Sequence, residues 1–137
     1  MDDCIFCKII NKEIPAVIFH ETDEFIAFLD NHPNNFGHSL LVPKKHFDNI
    51  YTLEGKTSEK LGEELQLVSK AIKEAVRADG INIIMNNESA AGQVVFHQHT
   101  HIIPRFINDG FKPWPQKMYE SPEQKNELGG KIKSKLS

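Results

Sequence analysis

A chain of 137 residues with a hydrophobic fraction of 39% is the size of one ordinary domain and can bury a core without covalent staples. Its 16 Lys and Arg against 19 Asp and Glu leave it mildly acidic, with no basic stripe, which argues against binding to the backbone of long nucleic acid. The longest apolar runs, such as residues 81–85 with an Asn inside, are far too short to cross a bilayer. Asp2-Asp3-Cys4 does not read as a secretion signal, so a cytoplasmic protein without membrane association is expected.

Residues 4–10 mix apolar and small side chains at helical spacing and are closed by Pro15, which predicts a short N-terminal helix. Within it, Cys4 and Cys7 form a CxxC, a pattern read as a metal half-site or a redox pair rather than a structural disulfide. Segments 17–20 and 25–29 are rich in β-branched and aromatic residues and predict a hairpin. A loop dense in turn formers, 30–37, leads to a third strand at 38–42, ended by Pro43. The clearest helix is 57–78, where Leu61, Leu65, Val68, Ile72, Ala75 and Val76 recur at three- and four-residue spacing. Thr57 or Ser58 is its expected cap and Asp79-Gly80 its stop. A fourth strand is predicted at 81–85 and a fifth at 94–103, stopped by Pro104. Beyond 107 the aromatics Phe111, Trp114 and Tyr119 suggest an extended segment packing on something. Ser121-Pro122-Glu123-Gln124 resembles a capping box, with Gly129-Gly130 weakening the helix it would start. With no repeat or domain-scale linker, the pattern reads as one α+β domain.

The most informative stretch is His97-Gln98-His99-Thr100-His101. On a strand, alternate side chains share a face, so the three imidazoles are expected in one row about 7 Å apart at their bases. Such a row is open to three readings: a satisfied structural cluster, a zinc site built from all three, or covalent catalysis on phosphorus with one histidine as nucleophile.

With Ile102-Ile103 after the third histidine and Pro104-Arg105 beyond, the stretch resembles the histidine-triad (HIT) family, and its bacterial branch in particular. Further matches fall in order: Cys4-Ile5-Phe6-Cys7-Lys8-Ile9-Ile10, Phe28-Leu29-Asp30, residues 37–44 from Gly37-His38 to Pro43-Lys44, Asn86, and Gly92-Gln93. The likeness covers about residues 4–106. It implies a five-stranded antiparallel sheet with a long helix and a short N-terminal helix, a core at 1–106, and a tail at 107–137 packed on the same domain or a dimer partner. The family commonly joins two protomers through a continuous ten-stranded sheet, so a homodimer is expected.

The resemblance implies relatedness to purine nucleoside phosphoramidases and fragile-histidine-triad hydrolases. His99 is then the nucleophile that takes up a nucleotidyl group, His101 contacts the phosphate and His97 orients its neighbours. His38 joins the histidine network, Gln93 and Asn86 serve the phosphate, Asp30 holds the ribose, and Phe6, Ile10 and Phe28 line the base pocket. The reaction implied is attack at the α-phosphorus of a purine nucleoside phosphoramidate or related nucleotide, releasing a nucleoside monophosphate. Its alternatives are diadenosine polyphosphate hydrolysis or nucleotide binding with incidental turnover. Val94 departs from the pattern, standing where many relatives carry a Ser or Thr hydroxyl. A structural zinc held by Cys4, Cys7, His46 and His97 is also implied.

Overall fold

The computed structural model describes residues 3–136. The short N-terminal helix is α1 (Ile5–Ile10), followed by β1 (Ile18–Glu21), β2 (Phe25–Leu29) and β3 (Ser39–Pro43). The long helix α2 (Gly55–Val76) precedes β4 (Gly80–Ile84) and β5 (Thr100–Arg105), and α3 (Pro122–Lys133) lies in the tail. All five strands form one antiparallel sheet in the order β1-β2-β3-β5-β4, which is the expected α+β class.

The two-residue period of the strands divides the core between the two sheet faces. On one face, Ile26, Phe28, Leu40 and Val42 pack with Phe6 and Ile9 of α1. On the other, Phe25, Ala27, Leu41 and Ile102 pack with Val68 and Ile72 of α2. The molecule is therefore layered as α1, sheet, α2, and His101 lies on the α1 face because its neighbour Ile102 points the other way. Between β2 and β3, Gly37 adopts φ +100°, and a Cβ there would fall 2.9 Å from Val76 Cγ1. Only glycine lets the loop pass so close to α2.

Several local expectations change. The long helix starts at Gly55 after Glu54, so buried Thr57 sits within its first turn and does not cap it. Arg77, at φ 53°, ends it in the left-handed conformation before Asp79 is reached. Ala75 is exposed, although the other five residues of the predicted stripe face the core. Ser121 does cap α3, accepting from Gln124 N–H at 3.1 Å, and the helix continues through Gly129-Gly130.

The largest change concerns the fifth strand. It runs from Thr100 to Arg105, so His97 and His99 precede it and only His101 is a strand residue. Pro104 does not stop it. The β3–β5 ladder already ends at Ser39↔Ile102, and Pro104 sits where β5 pairs with β4 alone, so its missing N–H breaks no ladder to β3.

Candidate active site

The strand register builds a cleft on the α1 face. Phe28 of β2 lies opposite Leu40 of β3, and Leu40 opposite His101 of β5, so these three form one cross-strand row. That row lines a cleft of about 520 Å³ together with Ile5, Phe6, Asp30, Asn86, Val94 and His99, among others. Its walls are apolar on the α1 side and carry imidazoles, a carboxylate and an amide on the other. This is the mixture expected of a site for a small, partly aromatic ligand.

The hydrogen bonds fix how the histidines present their nitrogens. His99 Nδ1 lies 2.8 Å from the His97 carbonyl and must donate to it, so its Nε2 holds the free lone pair. His38 Nδ1 accepts from the Asn34 backbone N–H at 3.0 Å. Its Nε2 therefore carries the proton and donates to His101 Nδ1, also at 3.0 Å. That leaves His101 with a proton on Nε2. One ring facing the cleft thus offers a lone pair and the next offers an N–H, with ring centroids 5.1 Å apart. Burial pushes His101 down to about 4, helped by the neighbouring His99 and His38, and burial also lowers His38 and His99. Asp30 Oδ1 accepts from the His32 N–H at 2.8 Å, while Oδ2 stands 3.6 Å from His38 Nε2.

His97 belongs to a different group of residues. The three imidazoles share the α1 face, with Phe6 against both His97 and His99 at 5.9 and 4.9 Å between centroids, but the chain bends before β5 and His97 turns its ring to the cysteines of the N-terminal helix. Its Nδ1 lies 3.3 Å from Cys4 Sγ and 3.5 Å from Cys7 Sγ, and His46 Nδ1 lies 3.4 Å from Cys7 Sγ. These four donor atoms are all within 4.8 Å of one another. His97 Nε2 donates to the Pro43 carbonyl at 2.8 Å and His46 Nε2 approaches Asp48 Oδ1 at 3.3 Å, so both histidines turn an Nδ1 lone pair to the centre. A tetrahedral zinc with its usual bond lengths separates sulfur from nitrogen by about 3.5 Å, so two thiols and two imidazoles at these spacings fit that ion. Asp30, His38 and His101 also cluster within 4.8 Å. There the Asn34 N–H occupies His38 Nδ1 and a proton occupies Nε2, so this second cluster is a hydrogen-bonded line and does not offer a ready ligand set.

The HIT domain matches residues 11–108, which is more than half of the chain and includes all three triad histidines. The chain belongs to the HIT family. It is 45% identical over 113 residues to an uncharacterized HIT-like protein of Borreliella burgdorferi, covering 81% of each chain. It is 39% identical over 136 residues to the adenosine 5'-monophosphoramidase hnt1 of Schizosaccharomyces pombe, covering 97% of this chain and 98% of that one. Among solved structures it resembles SMU.412c of Streptococcus mutans, with a TM-score of 0.94, 35% identity, and coverage of 100% and 87%. A zinc-bound histidine triad protein of Mycobacterium smegmatis is similar at a TM-score of 0.76 and 30% identity, with coverage of 97% and 95%.

Set in the HIT fold, most of the residues singled out from sequence for the nucleotide site come together, and three do not: His97 stands with the cysteines, and Ile10 and Gln93 lie off the cleft. His99, His101, Asp30, Asn86, Phe6 and Phe28 line the cleft, and His38 stands directly behind His101. Ile10 is absent from the cleft lining and packs against the core beside Phe6 and Ile9. Gln93 is buried, with its amide N–H groups donated to the backbone carbonyls of Asp48 and Val95 and its Oε1 accepting from Glu88 N–H. In this arrangement it braces the loop before the triad and presents no donor to a phosphate. Val94 is 86% exposed at the cleft edge. Ile5, Leu40 and Val95 are cleft residues to which the sequence pattern gives no role in the site. Leu40 could have been found from the register, since it follows His38 by two residues and faces the same way.

Proposed function

We propose that this HIT protein is a nucleotide hydrolase or transferase acting on purine nucleoside phosphoramidates or closely related nucleotides, with His99 as the nucleophile. The observation that carries the reading is the bond from His99 Nδ1–H to the His97 carbonyl, 2.8 Å long. It commits the Nε2 lone pair to the cleft without a further proton transfer. In the first step the Nε2–phosphorus bond forms as the bond from phosphorus to the leaving amine breaks, and the amine departs with a proton taken from solvent. In the second, water adds to phosphorus and gives a proton back to solvent, the Nε2–phosphorus bond breaks, and a nucleoside monophosphate leaves with His99 restored.

The other cleft groups have roles suited to those steps. His101 Nε2–H, held outward by the line from Asn34 through His38, donates to a non-bridging phosphate oxygen as its charge grows. Asn86 is the second polar group in reach of the phosphate, and Asp30 Oδ2 accepts from the ribose hydroxyls. Phe6, Phe28, Ile5 and Leu40 enclose the base. Phe6 also stacks edge-on against His99 at 4.9 Å between centroids, which limits the ring's freedom. Cys4, Cys7, His46 and His97 hold one structural zinc. When bound, it supplies a rigid link between α1 and the segment that ends in His99, and no reacting group.

A second copy of the chain is proposed to pair along β4. The opposite edge of the sheet, β1, carries Glu21 in ion pairs with Lys12 and Lys44, the charged protection usual for a free edge. Strand β4 has no charged residue, pairs only with β5, and leaves Ile83 49% exposed.

The activity is tested by release of AMP from adenosine 5'-phosphoramidate, with diadenosine tetraphosphate in parallel. The expectation is turnover by the wild type and a fall of roughly a thousandfold or more in His99→Ala. Turnover retained in the variant would remove His99 as nucleophile. No turnover of either substrate would leave a nucleotide-binding protein.

A further inference from the structure

The loop between β2 and β3 carries the groups that order the histidine line, and its anchor lies in the tail. Asn34 supplies the N–H that fixes His38 Nδ1, and the Asn35 carbonyl accepts the His38 backbone N–H at 3.0 Å. The Asn35 side chain reaches in the other direction. Its Nδ2 donates to the Pro104 carbonyl at 2.8 Å and to Asp109 Oδ2 at 3.2 Å.

Asp109 is itself held from every side. Its side chain is 8% exposed and accepts from Arg105 Nε at 2.7 Å and Nη2 at 2.9 Å, and from the backbone N–H groups of Phe106 at 3.0 Å and Phe111 at 3.2 Å. Arg105 is fixed in turn by Asn82 on β4, 2.7 Å from its Nη1. A carboxylate with this many donors has one low-energy orientation, and Asn35 is the single side chain among them that belongs to the catalytic loop.

We propose that Asp109, acting through Asn35, is a positioning residue for the His38–His101 pair. Held by the Arg105 fork, it sets where residues 34 and 35 lie. They set the His38 tautomer, and His38 sets which nitrogen of His101 carries the proton towards the cleft. The proposal rests on the reading of His101 as a phosphate donor. It adds a residue that touches neither substrate nor any histidine. If Asp109 only fastened the tail, loosening the tail elsewhere would have the same consequences.

The test uses the full chain labelled with 15N, as wild type and as Asn35→Ala, Asp109→Asn and Asp79→Asn. Asp79 accepts from the Ile107 N–H at 2.8 Å, so its amide variant removes the charge from that bond and weakens the tail's hold without a direct bond to the loop. Ring nitrogen shifts report tautomers directly. The wild type is expected to show His38 and His101 each protonated on Nε2 alone. Asn35→Ala and Asp109→Asn are expected to show mixed tautomers. Their kcat for the phosphoramidate should fall roughly tenfold, with KM changed less than about threefold, as loss of orientation predicts. Asp79→Asn should match the wild type on both readouts.

Wild-type tautomers in Asn35→Ala, an unchanged kcat in an active enzyme, or an equal shift in Asp79→Asn overturns the proposal. Asn35→Ala leaves the Arg105–Asp109 pair intact, so it decides the matter even if Asp109→Asn does not fold. The ring shifts need no turnover. An inactive wild type would thus defeat the proposed activity while the tautomers still decide the role of Asp109.

Discussion

His101 faces His38, His99 and Asp30, and its ring is mostly enclosed by them, so the folded chain favours its neutral form. Its folded value of about 4 lies below the ordinary 6.5. Between those two values the unfolded chain binds the extra proton, so stability rises with pH there, is complete above about 6.5, and is lost as pH falls towards 4. The midpoint of urea unfolding is expected to drop between pH 7.5 and pH 5 by an amount worth on the order of 2 kcal/mol. His101→Gln should reduce that slope, leaving the parts contributed by buried His97, His38 and His99. An equal midpoint at both pH values would show that the ring is not buried neutral. At this scale the sequence was informative about which residues matter and silent on their tautomers. The triad histidines, Cys4 and Cys7 stand out by type and spacing, and His46 only through the family resemblance. Which nitrogen each ring offers depends on Asn34 N–H and on the carbonyls of His97 and Pro43, backbone groups that no side-chain pattern reveals.

At the scale of elements, α1 has only 6 residues and would not be stable alone. It is fastened by Phe6 and Ile9 in the core and by Cys4 and Cys7 beside His46 and His97. If zinc closes that group, the purified chain is expected to carry one zinc ion, measurable by elemental analysis. Its removal with a strong chelator should lower Tm by roughly 5–10 °C, and Cys4→Ser with Cys7→Ser should reproduce the loss. A metal-free chain with the same Tm as the zinc-treated one would refute the structural role. The elements themselves were mostly legible: β2 was placed to the residue, and the α2 stripe was found from its period. Apolar Val94 and Val95 and the alternating histidines imitate a strand, so the sequence pattern starts β5 before its true first residue, Thr100. In the fold, Gln98 N–H bonds the Phe47 carbonyl at 2.6 Å and the segment bends to carry His97 to the cysteines. A site requirement outweighed β propensity there.

Considered as a whole molecule, the two sheet edges differ, and the unprotected one lies beside the tail. Trp114 is 79% exposed and, with Phe111 and Pro113, flanks the β4 residues Asn82 and Ile83 across a hollow of about 720 Å³. Helix α3 buries none of its residues, and Leu128 and Ile132 remain 44% and 57% exposed. Pairing of two β4 edges would cover Ile83 and continue the sheet to ten strands. Sedimentation of the wild type at micromolar concentration is expected to give a dimer, and Ile83→Lys a monomer, because a charge at the centre of the paired edge is not tolerated. A monomeric wild type, or a variant that dimerises equally well, would contradict this edge as the interface.

In the proposed reaction His99 Nε2 becomes covalently bound to phosphorus, and every other assigned role in the cleft follows from that bond. The most direct measurement is the intact mass of the protein, quenched rapidly without acid during turnover of adenosine 5'-phosphoramidate, beside His99→Ala. A transient species heavier by one adenylyl group is expected in the wild type, with no such species in the variant. An active wild type that never carries the adduct, or a variant that carries it equally, would contradict nucleophilic attack by His99.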